Sequence, residues 1–324
     1  MRVRTFLSSV CAAALLAAGV SAQAAEAYPT RAVRIVVPYG TGGGSDILAR
    51  QLGVVLQQMW GQGVTVENKA GASGNIGSME VVRAAADGYT LLLQNSTMVA
   101  NLGMVGKLPY DPEKDLTPIM LLGVTPVAVV AHPSLNVSNV KELAALSKAK
   151  PDSLSYGSCG IGTPQNFVME LVKQFGNINA AHVGYKGCAP AVTDVLGGQI
   201  QLAAVSANLV APFAKSGKLK VVGVSTPQRY NLLPDSPTFE EQGLKPFDFA
   251  TWFALMGPKG LPPAVVSKVV ADINTVLAQP AVVSNLSGAG VELLRGNGDD
   301  LVRLIRTDAK RYADLAKSAN IKPE

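Results

Sequence analysis

Two periods alternate along this chain. Short apolar, β-branched runs such as the one that closes with Val36-Val37 before Pro38 have the pattern of buried strands. The stretches after them, such as Ile47-Leu48-Ala49-Arg50-Gln51-Leu52, space their apolar residues as a helix does. After the first run ends at Val37, strand runs fall at 63–68, 89–93, 117–122, 127–131, 153–157, 180–185, 201–205, 219–225 and 249–256. Gly123 and Pro126 interrupt the pair at 117–131, which predicts two strands there and a crossing into a second domain. Helical patterns at 262–277 and 299–319, the second with Asp299 and Asp300 as cap and early charges, follow the second unit and are expected to pack on the first. The fold class expected is α/β with two domains, each a mainly parallel sheet flanked by helices. Domain I covers 28–125 and 255–324, and domain II covers 126–254.

Ligands in such sheets bind outside the carboxyl ends of the strands. The turn after the first strand, Pro38-Tyr39-Gly40-Thr41-Gly42-Gly43-Gly44-Ser45-Asp46, presents bare N–H groups at a helix start, which is an anion seat. It is not a P-loop, because no lysine closes it, and the dinucleotide spacing fails at Ser45. What remains is a seat for a smaller anion such as a carboxylate, or a turn that merely connects two elements. A second glycine-rich turn, Ser158-Cys159-Gly160-Ile161-Gly162-Thr163-Pro164, follows a strand of the second unit. Two such turns suggest an interdomain cleft that closes on its ligand.

The chain opens with Met1-Arg2-Val3-Arg4, an apolar stretch from Phe6 to Val20, and the small-residue site Ala22-Gln23-Ala24. This predicts a cleavable secretory leader over 1–24, or to 27 if Ala25-Glu26-Ala27 is used, too short for a membrane span. Ser8-Ser9-Val10 before Cys11 is not a lipid-anchor context, so a free protein outside the cytoplasm is expected. Apolar residues make up 48% and charged ones 16%, enough for a sizeable core. Net charge is +5 and falls by two, to +3, when Arg2 and Arg4 leave, or stands at +4 if Glu26 goes too. That balance excludes a nucleic-acid partner.

Catalytic constellations are sparse. His132 and His182 lack metal-spaced neighbours and are expected to be structural, so no metal and no cofactor are predicted. Ser158 has Gly160 after it, but Tyr156 stands where a nucleophile elbow needs glycine. Lys186, Asp194 and Trp252 each have an ordinary reading as solvated charge or core.

The segments VPYGTGGGSDILAR, VENKAGASGNIGS, DGYTLLL, LPYDPEKDLTPI, YGSCGIGTP, HVGYKGCAPAVTDVLGGQI and WFALMGPKGLP, in this order, resemble the Bug family of substrate-binding receptors of tripartite tricarboxylate transporters. The resemblance covers essentially all of the chain after the leader. It implies a periplasmic two-domain flytrap fold, monomeric and not an enzyme, that hands a small carboxylate to a membrane permease; a receptor signalling to a sensor kinase is the alternative. A carboxylate-processing α/β enzyme is a more distant one. The family's two gripping turns map onto Tyr39 to Asp46 and onto Ser158 to Thr163. With the other strand ends, the expected ligand-binding residues are Tyr39, Thr41, Gly42, Gly43, Ser45, Asp46, Ser96, Ser158, Cys159, Gly160, Ile161, Gly162, Thr163, Cys188 and Ala189. The chain departs from the family at Gln165 and Asn166, where histidine is common, and at Cys159 and Cys188, where small or polar residues are usual.

Cys159 and Cys188 both follow consecutive strands at one sheet edge in an oxidising compartment, so a disulfide is open to them. Bridging needs Cα atoms within about 7 Å. Two separate thiols are the favoured expectation.

Overall fold

The computed structural model describes residues 28–245 and 247–321. The expected leader lies outside them. The elements run β1 (Val33–Val37), α1 (Gly44–Trp60), β2 (Val64–Asn68), α2 (Asn75–Val82), β3 (Thr90–Asn95), α3 (Thr97–Val105) and β4 (Leu116–Ala131). Next come α4 (Val140–Ala149), β5 (Ser155–Ser158), α5 (Pro164–Gly176), β6 (Ala181–Gly184), α6 (Cys188–Leu196), β7 (Leu202–Ser206), α7 (Ala207–Lys215) and β8 (Lys220–Val224). The chain returns through β9 (Ala250–Pro258), α8 (Pro263–Leu277), α9 (Pro280–Gly288), β10 (Glu292–Asn297) and α10 (Gly298–Ser318).

The strands lie in the order β2-β1-β3-β9-β4-β7-β5-β6, with β8 and β10 also on β4. β1, β2 and β3 are mutually parallel, as are β5, β6 and β7. This is the two-domain flytrap fold, with β4 shared by both sheets. Up to Pro126 β4 pairs with β9, and from Val127 it pairs with β7 and β8.

The strand pair expected at 117–131 is therefore one strand of 16 residues. Gly123 does not break it, because it serves close approach: a Cβ there would sit 2.6 Å from the Glu292 carbonyl oxygen of β10. Pro126 forms the last β4–β9 pair, opposite Ala250, at the point where β4 changes partners, the kind of irregular position at which a strand tolerates proline. Register shifts around Pro118 and Leu121 absorb the irregularity. The limit drawn at residue 254 falls inside β9, whose pairs with β3 and β4 all belong to the first sheet.

The helices bury one face each. α1 sets Leu48, Leu52 and Leu56 against the first sheet, and its last turn closes on Gly61 in the left-handed region. α10 buries Leu301, Ile305, Asp308, Tyr312 and Ala316, a four-three-four-four spacing. Its cap is Asn297, whose side chain accepts from Asp300 N–H while Asp300 reaches back, so Asp300 is the third helical residue and not the cap. α10 also does not confine itself to the first lobe. Tyr312 packs edge-on against Phe167 of α5 with centroids 4.8 Å apart, and Gly103 of α3 lies against the Tyr312 backbone.

A second tie joins the lobes behind β4. The Gly290 carbonyl accepts from Thr125 Oγ1 at 3.0 Å and from the Tyr230 hydroxyl at 2.8 Å, while Asn208 Nδ2 of α7 donates to the Ala289 carbonyl at 2.9 Å. α3, α9 and β10 are additions to the sequence reading, and Gln279-Pro280 was the available signal for α9.

Trp252 of β9 donates to the Asp308 carboxylate at 2.8 Å in the interior. Burial raises the Asp308 carboxyl above its ordinary range, against the Trp252 bond and the Arg311 charge, which lower it. A carboxyl that holds its proton more tightly folded than unfolded costs stability as pH rises from about 4 through its folded value. Asp308→Asn keeps an acceptor for Trp252 and cannot ionise. Its melting temperature relative to the unaltered protein is expected to rise between pH 4 and 7, on the order of 1–3 °C in thermal unfolding.

Candidate functional site

Strand directions bring the two sets of loops face to face. β9 is antiparallel to both β3 and β4, so β4 runs with β1, β2 and β3, toward the second lobe. β7 is antiparallel to β4, so β5, β6 and β7 run back toward the first lobe. Asn95 is level, through Phe253, with Gly123 of β4, and Ser206 is level with Val127. Four residues separate these levels, roughly 13 Å at about 3.3 Å per residue. Both carboxyl edges therefore flank the crossing, and the starts of α1, α2, α3, α5, α6 and α7 converge on it.

In the first lobe, Gly43 ends the loop and carries no side-chain cap, so the first N–H groups of α1 have no partner within the helix. Gly42, at φ +79°, needs the left-handed freedom of glycine. Its N–H donates to Asp46 Oδ2 at 2.9 Å, and Arg50 Nε holds Asp46 Oδ1 at 2.9 Å. Burial opposes ionisation of Asp46, but the Arg50 bond, the Gly42 N–H and Asn68 outweigh it and hold the carboxyl below its usual range. Asp46 thus braces the loop from within. Gly40, Thr41 and Gly42 are exposed.

The floor under this loop is a buried polar knot. The Tyr39 hydroxyl donates to Gln94 Oε1, Gln94 Nε2 donates to Ser78 Oγ at 2.8 Å, and Ser78 Oγ donates to the Gly74 carbonyl at 2.8 Å. Asn95 Nδ2 donates to Ser45 Oγ at 3.1 Å. Burial pushes the Tyr39 phenol well above its usual range, so it is a neutral donor. Ser96 is fully buried, with its N–H on the Trp252 carbonyl. Gln94 and Asn95 escaped the sequence reading, although two amides ending an apolar strand were a signal.

In the second lobe, most loop donors are already committed. Gly160 N–H meets Ser158 Oγ at 3.2 Å, Gly162 N–H meets Asn166 Oδ1 at 3.2 Å, and Thr163 N–H meets the Gly160 carbonyl at 3.4 Å. Thr163 also caps α5. Ser158 is fully buried beneath the loop, 2.7 Å from His182 Nε2, while Cys159, Gly160 and Ile161 are half-buried. The loop donors expected at Gly160 to Thr163 are therefore mainly used inside the protein.

The two cysteines are joined. A disulfide links Cys159 and Cys188 with Cα atoms 4.2 Å apart, against the expectation of separate thiols, because the parallel pairing of β5 and β6 aligns their turns. Gly187 N–H donates to the Cys159 carbonyl at 3.1 Å, and Gly187 starts α6 with no side-chain cap. The free first turn of α6, at Cys188 and exposed Ala189, thereby stands beside the loop.

The lobes meet at the floor. Gln165 Nε2 of α5 lies 3.3 Å from both Ser206 Oγ and Thr251 Oγ1 of β9, and a Cβ on Gly162 would strike Met104 of α3 at 2.6 Å. The remaining candidates have structural partners: Asp194 accepts from Tyr185, Trp252 is bound to Asp308, and His132 Nδ1 faces Ser134. Lys186 is exposed. Among the described residues no three His, Cys, Asp or Glu side chains are grouped to hold a metal ion, and no helix is long and apolar enough to cross a membrane.

Comparison with known proteins extends this geometry. Residues 48–321 match the family model described as the tripartite tricarboxylate transporter family receptor. The protein BugT of Bordetella pertussis is 32% identical over 321 residues, covering 98% of each chain. The structure of Rpa4515 from R. palustris with adipate superposes at a TM-score of 0.85, with 30% identity over 92% of this chain and all of that one. MatC from Rhodopseudomonas palustris with bound malate gives 0.81, with 28% identity over 89% of this chain and 99% of that one.

Two substitutions separate seat from scaffold. At Gly43 an added Cβ has only the Gly40 carbonyl oxygen near it, at 3.8 Å, whereas at Gly44 it would enter the Phe253 ring at 2.6 Å. Gly43→Val is expected to weaken carboxylate binding at least about tenfold in calorimetry with little loss of stability, and Gly44→Val to lower the melting temperature by several degrees. Reducing the disulfide, which closes a 29-residue separation, is expected to remove about 3 kcal/mol in denaturant titrations.

Proposed function

This chain belongs to the tripartite tricarboxylate transporter receptor family, the Bug receptors, and on that premise we propose that it captures a small carboxylate between its lobes and delivers it to a membrane permease. The observation that carries this reading is the facing of two carboxyl edges across β4, with the uncapped start of α1 on one side and that of α6 on the other. N–H groups at a helix start favour an anion, and they do so with fixed dipoles. No basic side chain lies in 39–46 or 158–163, and Arg50 is taken by Asp46. Recognition on this reading rests on main-chain donors around Thr41 to Ser45 and at Cys188 and Ala189, with Tyr39, whose hydroxyl is bound to Gln94, as part of the cleft wall. The adipate and malate complexes of the relatives support a carboxylate as the ligand class.

Capture follows from two-sided contact. An anion touching both lobes binds the closed arrangement better than the open one, and it shifts the population by that difference in affinity alone. Export by the leader over 1–24 puts the receptor in the periplasm, where the closed complex is the form a permease distinguishes from the empty one. Native mass spectrometry of freshly purified protein is expected to show a bound small acid. Its neutral amide should bind at least about tenfold more weakly in calorimetry, since charge-assisted bonds are lost. Small-angle scattering should show compaction with the acid and none with the amide. Equal binding of acid and amide overturns the reading.

A further inference from the structure

The second-lobe loop is backed by a chain of hydrogen bonds that begins at a carboxylate and ends on its own backbone. Glu170 of α5 accepts from the Tyr156 hydroxyl at 2.5 Å and from Lys173 Nζ at 2.9 Å. The Tyr156 oxygen accepts from Asn166 Nδ2 at 2.8 Å, and Asn166 Oδ1 accepts from Gly162 N–H at 3.2 Å. The same tyrosine ring stacks on His182 with centroids 4.7 Å apart. His182 Nε2 lies 2.7 Å from Ser158 Oγ, which bonds both the N–H and the carbonyl of Gly160. One fully buried phenol thus stands behind both halves of the loop.

We propose that Tyr156 is the positioning residue of loop 159–163, and that Glu170 sets the direction of the chain running through it. An ionised carboxylate can only accept, so the single proton of Tyr156 goes to Glu170. The phenol oxygen is then left as an acceptor, which turns the Asn166 amide so that its NH2 faces Tyr156 and its carbonyl faces Gly162. A reversed amide would set donor against donor at the Gly162 N–H. A solvent-open pocket lined by Ile161, Asn166, Glu170, His182 and residues 319–321 borders the same groups. Tyr156 touches no ligand in this scheme and acts through Asn166 and His182. Its bearing on capture rests on the reading of this loop as one wall of the carboxylate site.

The test uses the full chain without its leader, as Tyr156→Phe and Glu170→Gln. Site-resolved amide hydrogen exchange is followed without added ligand, and adipate and malate then serve as calorimetric probes. Tyr156→Phe keeps the ring and is expected to speed exchange at Gly162 about tenfold, with a smaller rise at Gly160. Glu170→Gln can still accept from the phenol but no longer enforces direction, so a rise of a few-fold is expected. The Gly42 amide, held by Asp46, is the internal control and should not change. Unchanged exchange at Gly162, or an equal rise at Gly42, which would mean general loss of stability, overturns the proposal. Faster exchange at Gly162 with weaker probe binding supports it. Faster exchange with no fall in native-mass-spectrometry occupancy of the small acid overturns the placement of this loop at the ligand, and leaves the Tyr156 chain as a loop anchor only.

Discussion

β4 carries its hydrogen bonds from one sheet into the other without a break, so the direction of each neighbouring strand, and with it the place of each loop, follows from its own. Parallel strands must end on one side of their sheet, and the helix that follows each of them must start there. Because β7 opposes β4 in the second lobe while β1 and β3 run with it in the first, the two sets of helix starts point at one another. Had β7 been parallel to β4, the second set of loops would have faced solvent at the far end of the molecule.

The two walls of the resulting cleft are built by different means. The first is a bare loop, braced from inside by Asp46 and Arg50 and floored by the Tyr39–Gln94–Ser78 knot. In the second, the loop's own donors are spent on Ser158, Asn166 and Gly160, and the Cys159–Cys188 bond brings the start of α6 alongside. A buried phenol and an ion pair stand behind that wall. Fixed donors of this kind need no reorganisation when an anion arrives, which favours main-chain recognition over mobile lysines.

Much of this was legible in the chain. Period and glycine punctuation located the end of β1, the start of α1, and both ends of β5 and α5 to within a residue or two, because strand-end turns there combine φ > 0 glycines with an immediate helical repeat. The continuity of β4 was not legible: Gly123 and Pro126 are breakers by local preference, and only the tertiary approach of β10 and the change of partner at Val127 explain them. α3, α9 and β10 lack a clean period. At the site, the spacing revealed which turns matter but not where their N–H groups point, since the acceptors at Asp46 and Asn166 belong to side chains that read as helix-start residues. The disulfide depended on a Cα separation that sequence does not encode.

The open space around Gly40 and Gly43 gives this protein an unusual freedom to drift. Where most interior glycines are held by a neighbour that a methyl group would displace, a side chain at Gly43 meets almost nothing of the protein itself. On the proposed reading, new residues can be tried there at the expense of ligand choice, with folding left out of the trial. A receptor built in this way can acquire a different diet by point mutation before any other part of its structure has to follow.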